Sequence, residues 1–265
     1  MKPTIMTLLL VPLLLSGQAF REHGAIAWQE MMILKQPNSN SVFYPSLTEN
    51  TQSTKNRQLL VAVSNPFMIK GLNRLGADWY QNLDHSAWGV STGIQSGGPV
   101  SSISLSADYT QIISSSIAMG LKMHVQANRW QGYGSQKNGG ITGKILYRIN
   151  DKTGWTSSFS LDKSGIKSTG STRKSWSTEM GQTLNKALFL AIRLEKADER
   201  DPVLQMMLDW KMNENFSLIG GINIASGNIM LGWHHSGKHT RKGLNVNSHS
   251  LLGYGLEIFY SHGWD

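Results

Sequence analysis

Between Ser116 and Gln126 apolar and polar side chains alternate without a break. Ile117, Met119, Leu121, Met123 and Val125 are apolar, while Ser116, Ala118, Gly120, Lys122, His124 and Gln126 are small or polar. A period of two sends the two sets to opposite faces of a β-strand. About 9–11 such residues, tilted, are enough to cross a bilayer. The segment therefore predicts a strand with one face against oil and the other against water.

The same alternation recurs from Gln58 onward and predicts fourteen strands, over 58–63, 72–80, 86–94, 100–109, 115–126, 140–149, 154–161, 174–183, 187–195, 202–211, 216–224, 228–235, 242–247 and 251–260. In 187–195, Leu188, Leu190, Ile192 and Leu194 oppose Ala187, Ala191, Arg193 and Glu195. In 251–260, Leu252, Tyr254, Leu256, Ile258 and Tyr260 oppose Gly253, Gly255 and Glu257. The fold class expected is all-β, an antiparallel transmembrane barrel of about 14 strands, because only closure leaves no unpaired edge in lipid.

Connections give a separate test. Barrels of this kind have short turns on the periplasmic side and longer loops outside. Asn150–Thr153, Leu184–Lys186 and Met212–Asn215 read as tight inner turns rich in turn-forming residues. The stretches 127–139 and 162–173 read as the two longest loops, both on the outer side. Trp79, Tyr80, Trp88, Tyr109, Trp130, Trp155, Trp176, Trp210, Trp233 and Tyr260 fall near predicted strand ends and suggest an interfacial aromatic girdle.

The N-terminus changes the compartment. Lys2, the apolar run Leu8–Leu15 and the small residues Gly17 and Ala19 have the form of a secretory signal cut after Ala19. The run is too short to span a bilayer as a helix, and no later segment approaches 18 apolar residues, so strands must do any crossing. The expected organisation is residues 1–19 as signal, 20–57 as a tail or plug, and 58–265 as an outer-membrane barrel. Ile26, Trp28, Met31, Met32 and Leu34 would place a short amphipathic helix in the tail.

Composition agrees. Charged residues are 16% of the 265, and mean hydropathy is −0.26, too polar for a helical membrane protein and too weakly charged for most soluble enzymes. With no Cys, disulfides, cysteine zinc sites and thiol catalysis are excluded. The formal charge of +8 does not read as nucleic-acid binding, because Lys and Arg are spread through strands and loops rather than gathered in one stripe. Basic loops would instead face anionic lipid head groups.

Ser64-Asn65-Pro66-Phe67, Gly132-Tyr133-Gly134, Asn247–Gly253 and the ending Gly253–Tyr260 resemble landmarks of a Bacteroidota group of outer-membrane barrels. That group is related in architecture to the long-chain fatty-acid transporters and to small barrels associated with type IX secretion. The resemblance implies fourteen strands and a lumen that is often narrow or plugged. It also implies either transport of an apolar ligand released through a strand kink or docking to other proteins. The ending looks like the terminal strand signal read by the barrel-assembly machinery, although Ser-His-Gly-Trp-Asp follows Tyr260.

Candidate chemistry is sparse. His234 and His235 must point to opposite strand faces and Lys238 would repel a cation, so His-His-Ser-Gly-Lys-His is not expected to hold a metal. No Gly-x-Ser-x-Gly motif marks a nucleophile, although Ser, His124, Asp108 and Asp209 share the interior. The glycine pairs suit turns and kinks better than phosphate loops. Lys122, His124, Lys144, Arg148, Arg193, Glu195, Asp209 and Glu257 are expected to face the lumen, and their mixed signs would pair across a narrow bore. Ile117, Met119, Leu121, Met123, Val125, Leu188, Leu190, Ile192 and Leu194 are expected to face lipid. No cofactor and no catalysis are expected. The expected partners are outer-membrane lipid, the assembly machinery and an envelope protein, and the expected role is that of an accessory barrel, with a transporter or channel as the alternative.

Overall fold

In a computed structural model the described residues run from 57 to 264, apart from short segments at 66–72, 84–85, 98–99, 133, 151, 166–171, 186, 199–200, 225–226, 238–239 and 250–252. The expected signal, tail and amphipathic helix fall outside the described residues. Fourteen strands are present: β1 (Arg57–Asn65), β2 (Asn73–Leu83), β3 (Ser86–Ser96), β4 (Val100–Ile112), β5 (Ile117–Trp130), β6 (Gly134–Asn150), β7 (Thr153–Ser164), β8 (Thr172–Asn185), β9 (Leu188–Ala197), β10 (Val203–Lys211), β11 (Phe216–Asn223), β12 (Asn228–Ser236), β13 (Thr240–His249) and β14 (Gly253–Trp264). Each pairs antiparallel with its sequence neighbours. β1 pairs with β14 from Arg57↔Trp264 to Asn65↔Leu256, which closes the barrel.

The alternation becomes two surfaces. On β5 Met119, Leu121, Met123 and Val125 are exposed on the outside, while Lys122 and His124 point in. Neighbouring strands match in register: Leu121 lies between Tyr109 and Gly143, and Met123 between Ala107 and Ile141. The result is a continuous apolar belt on the outer wall, the feature that in transmembrane barrels stands about 25 Å tall and meets the bilayer core.

Inner turns owe their tightness to asparagine. Asn150 accepts from the Lys152 backbone N–H at 2.8 Å, Asn185 from Ala187 at 2.8 Å and Asn213 from Asn215 at 3.0 Å. Each is a side chain mimicking a backbone turn. Small irregularities between Arg148 and Asn150, and between Thr183 and Asn185, sit beside two of these turns.

Three expectations are corrected. Residues 127–139 are not a long loop: β5 runs to Trp130 and β6 starts at Gly134, with Gly132 and Gly134 at φ 83° and 93°, a left-handed backbone that glycine takes without steric cost. Beyond the belt neither face of a strand meets oil, so the period-two signal fades although the ladder continues. The terminal strand does not stop at Tyr260 but reaches Trp264, which pairs with Arg57. Finally, Tyr80 does not join the girdle; it turns inward, is buried, and leans over Gly89. The outward aromatics at the inner end are Trp79, Trp88, Tyr109, Tyr147, Trp155, Trp210, Trp233 and Tyr260, with Trp79 and Trp88 edge to face at 4.4 Å.

Candidate functional site in the barrel lumen

Small and polar inward residues of β1 to β9, with Glu257 of β14, surround a cavity of ≈ 260 Å³. Eight serines line it. So do four fixed cations (Arg74, Lys122, Lys144 and Arg193), five carboxylates (Asp78, Asp162, Glu179, Glu195 and Glu257) and His124. Hydroxyls bond across strands, Thr142 to Ser160 at 2.8 Å and Ser158 to Ser177 at 2.7 Å. The volume lies just below the range of about 300–1,000 Å³ that holds drug-sized ligands.

Of the eight expected inward residues, Lys122, His124, Lys144, Arg193, Glu195 and Glu257 border this cavity. Arg148 and Asp209 also point in, but lie buried away from it. Of the outward set, Met119, Leu121, Met123, Val125 and Ile192 are exposed, and Ile117, Leu188, Leu190 and Leu194 are half-buried among neighbouring outward side chains.

One pair is built over a glycine. His124 of β5, Gly140 of β6 and Asp162 of β7 are in register, and His124 Nε2 meets Asp162 Oδ1 at 2.9 Å across the gap. A Cβ on Gly140 would collide with Asp162 and come within 2.6 Å of His124 Cε1 and 2.7 Å of the Leu161 carbonyl. Gly140→Ala is therefore expected to cost about 1–3 kcal/mol as an overpacking change. Gly143→Ala, where a methyl meets nothing within 4 Å, is expected to be near neutral. Urea unfolding from lipid vesicles measures both.

Ser106 sits opposite His124 on β4, so a serine, a histidine and an aspartate do come together. No hydrogen bond joins the serine to the ring, however, and His124 Nδ1 has no partner. A nucleophile is activated by a base in hydrogen-bond contact; the contact present here is the His124–Asp162 pair in the wall.

A second network closes the β10–β14 side. Arg241 Nη2 lies 2.7 Å from His234 Nδ1. Arginine only donates, so Nδ1 must accept and the ring proton sits on Nε2. Nε2 faces Asn245 Oδ1 at 3.4 Å, and Asn245 Nδ2 donates to Glu257 Oε1 at 3.1 Å. Asp209 adds electrostatic attraction to Arg241. His234, Asn245 and Glu257 are all buried, and Phe259 packs edge-on against the His234 ring at 4.8 Å. Gly243 makes room, since a Cβ there would lie 2.6 Å from both rings. His235 faces outward. His239 lies outside the described residues, and among those described no metal-ligating cluster forms. The alternation alone does not single out Asp162, Arg241 or Asn245; their partners are distant in sequence and are joined only by register.

No family model matches the chain, and no curated protein does. Solved structures are similar in fold. The CymD monoaromatic hydrocarbon channel aligns at a TM-score of 0.58 with 9% identity, covering 86% of this chain and 94% of that one. The Pseudomonas putida toluene transporter TodX aligns at 0.55 with 9% identity, covering 88% and 93%. These likenesses show a shared fold, a closed antiparallel β-barrel.

Proposed function

We propose that this barrel is a non-enzymatic conduit in the outer membrane for a small hydrophilic solute. The observation that carries the reading is the lumen cavity, lined by serine hydroxyls and paired charges inside a wall whose outside is apolar. The architecture is shared with proteins described as hydrocarbon channels, which supports transport over an accessory role. The cargo does not follow from them. An apolar ligand in this cavity would displace water from polar walls and return no hydrogen bonds, whereas a polar solute can add bonds to the hydroxyls and charges already there.

Liposome swelling with the full chain is the test. Small sugars and amino acids should enter faster than into protein-free vesicles, and toluene flux should be unchanged. Vesicles that remain impermeable to every small solute would refute the conduit.

The accessory reading keeps one supporting observation, the unequal height of the wall. β6 has 17 residues, while β10, β11 and β12 have 9, 8 and 9, so the β5–β6 hairpin stands above the opposite rim as a docking element would. Co-purification in mild detergent tests it; a barrel that always elutes alone argues against it. Export by a leader cut after Ala19 belongs to the same proposal, and N-terminal sequencing of the mature protein checks it.

A further inference from the structure

Lys and Arg look dispersed along the chain, but strand pairing gathers five of them. Arg129, Lys137, Lys163, Lys174 and Lys196 stand on five consecutive strands, β5 to β9. All five occupy outward positions near the end of the barrel opposite the chain termini. Arg129 is opposite Ser135, two residues from Lys137; Gly139, two residues from Lys137, is opposite Lys163; Lys163 is opposite Thr172, two residues from Lys174. Trp176, two residues from Lys174, is opposite Lys196. Each cation is thus a diagonal neighbour of the next, about 7–8 Å away and within reach of a long side chain.

Three observations say what covers this staircase. It begins where the apolar belt ends: Ala127, Leu161, Trp176 and Leu194 are the outward residues just below Arg129, Lys163, Lys174 and Lys196. None of the five cations is in an ion pair among the described residues, although Arg173, Arg193 and His124 beside them on the inner face are paired. On the other nine strands no described residue places a Lys or Arg outward at this end. The opposite end carries the aromatic girdle instead. A row of cations with no ion pair among the described residues, along the upper edge of an oil-facing belt, meets the head-group layer of one leaflet.

We propose that this arc of β5 to β9 binds a phosphorylated glycolipid of the outer leaflet, with the lysines and Arg129 on its phosphates and the belt against its acyl chains. The inference rests on the outer-membrane location but not on conduction. The geometry suits two phosphates carried on one lipid, because the arc is several strands wide and continuous with apolar surface.

Native mass spectrometry of the full-length protein in neutral detergent tests it, using bis-phosphorylated lipid A, its dephosphorylated form and inorganic phosphate as probes. Lipid A should be retained, and the other two should not. The triple variant K137Q/K163Q/K174Q should bind lipid A about 100-fold more weakly, given about 1 kcal/mol per basic residue near a charged membrane surface. The control R57Q/K152Q/K211Q, at the opposite end, should match the parent. Heat-modifiable gel mobility verifies that each variant is folded; should the triple variant fail there, K163Q alone should weaken binding about fivefold. Equal binding by parent and triple variant, equal retention of dephosphorylated lipid, or comparable uptake of free phosphate would each overturn the proposal. Failure of solute flux would leave it standing, so the two readings fail separately.

Discussion

Asp209→Ala is expected to destabilise the folded barrel by about 3–5 kcal/mol, the cost of stripping a buried charge of its partner. Asp209 is fully buried between Phe189 and Ile219, and it attracts Arg241, which is itself held against His234. Urea titration of the protein refolded into vesicles, followed by Trp fluorescence, gives the change. The double variant Asp209→Leu with Arg241→Met should recover most of the loss, because removing both charges together leaves no buried ion unpaired. A double variant as unstable as the single would mean that the aspartate acts by shape and not by charge.

The second large effect lies on the other face. Leu121→Arg or Met123→Arg is expected to cost about 2–4 kcal/mol, the penalty for a cation near the middle of a barrel's lipid face. Both residues are exposed in the centre of β5, with apolar or small outward neighbours on β4 and β6. Substitution of Gln126, which points inward and bonds Asn128 at 2.9 Å, should cost little. The same titration compares them. Equal tolerance at positions 121 and 126 would contradict the assignment of faces.

The physical reason that so much of the fold is legible is that the bilayer imposes it. Wherever a strand crosses oil, one face must be apolar, and Ile117 to Val125 or Leu188 to Leu194 record this directly. Where the constraint lapses the record lapses too. Residues 127–139 sit above the belt, where neither face meets oil, and read as a loop although they form the upper β5–β6 hairpin. Tyr80 shows a related ambiguity: an aromatic beside Trp79 reads as girdle, yet neighbours in a strand point to opposite faces, so only Trp79 can be outside. The site is less legible because pairing creates it. His124 and Asp162 are two strands apart across Gly140, and the relay from Arg241 to Glu257 crosses three strands. The five cations from Arg129 to Lys196 are scattered in sequence and form one arc only once the register is known.

The chain contains no Cys, which allows a direct measurement of the central claim. Single cysteines placed one at a time from 118 to 125, carrying an environment-sensitive fluorophore, can be read in vesicles containing brominated lipid. The account predicts strong quenching at 119, 121, 123 and 125 and little at 118, 120, 122 and 124. Uniform quenching along β5, or a profile of the opposite phase, would contradict it.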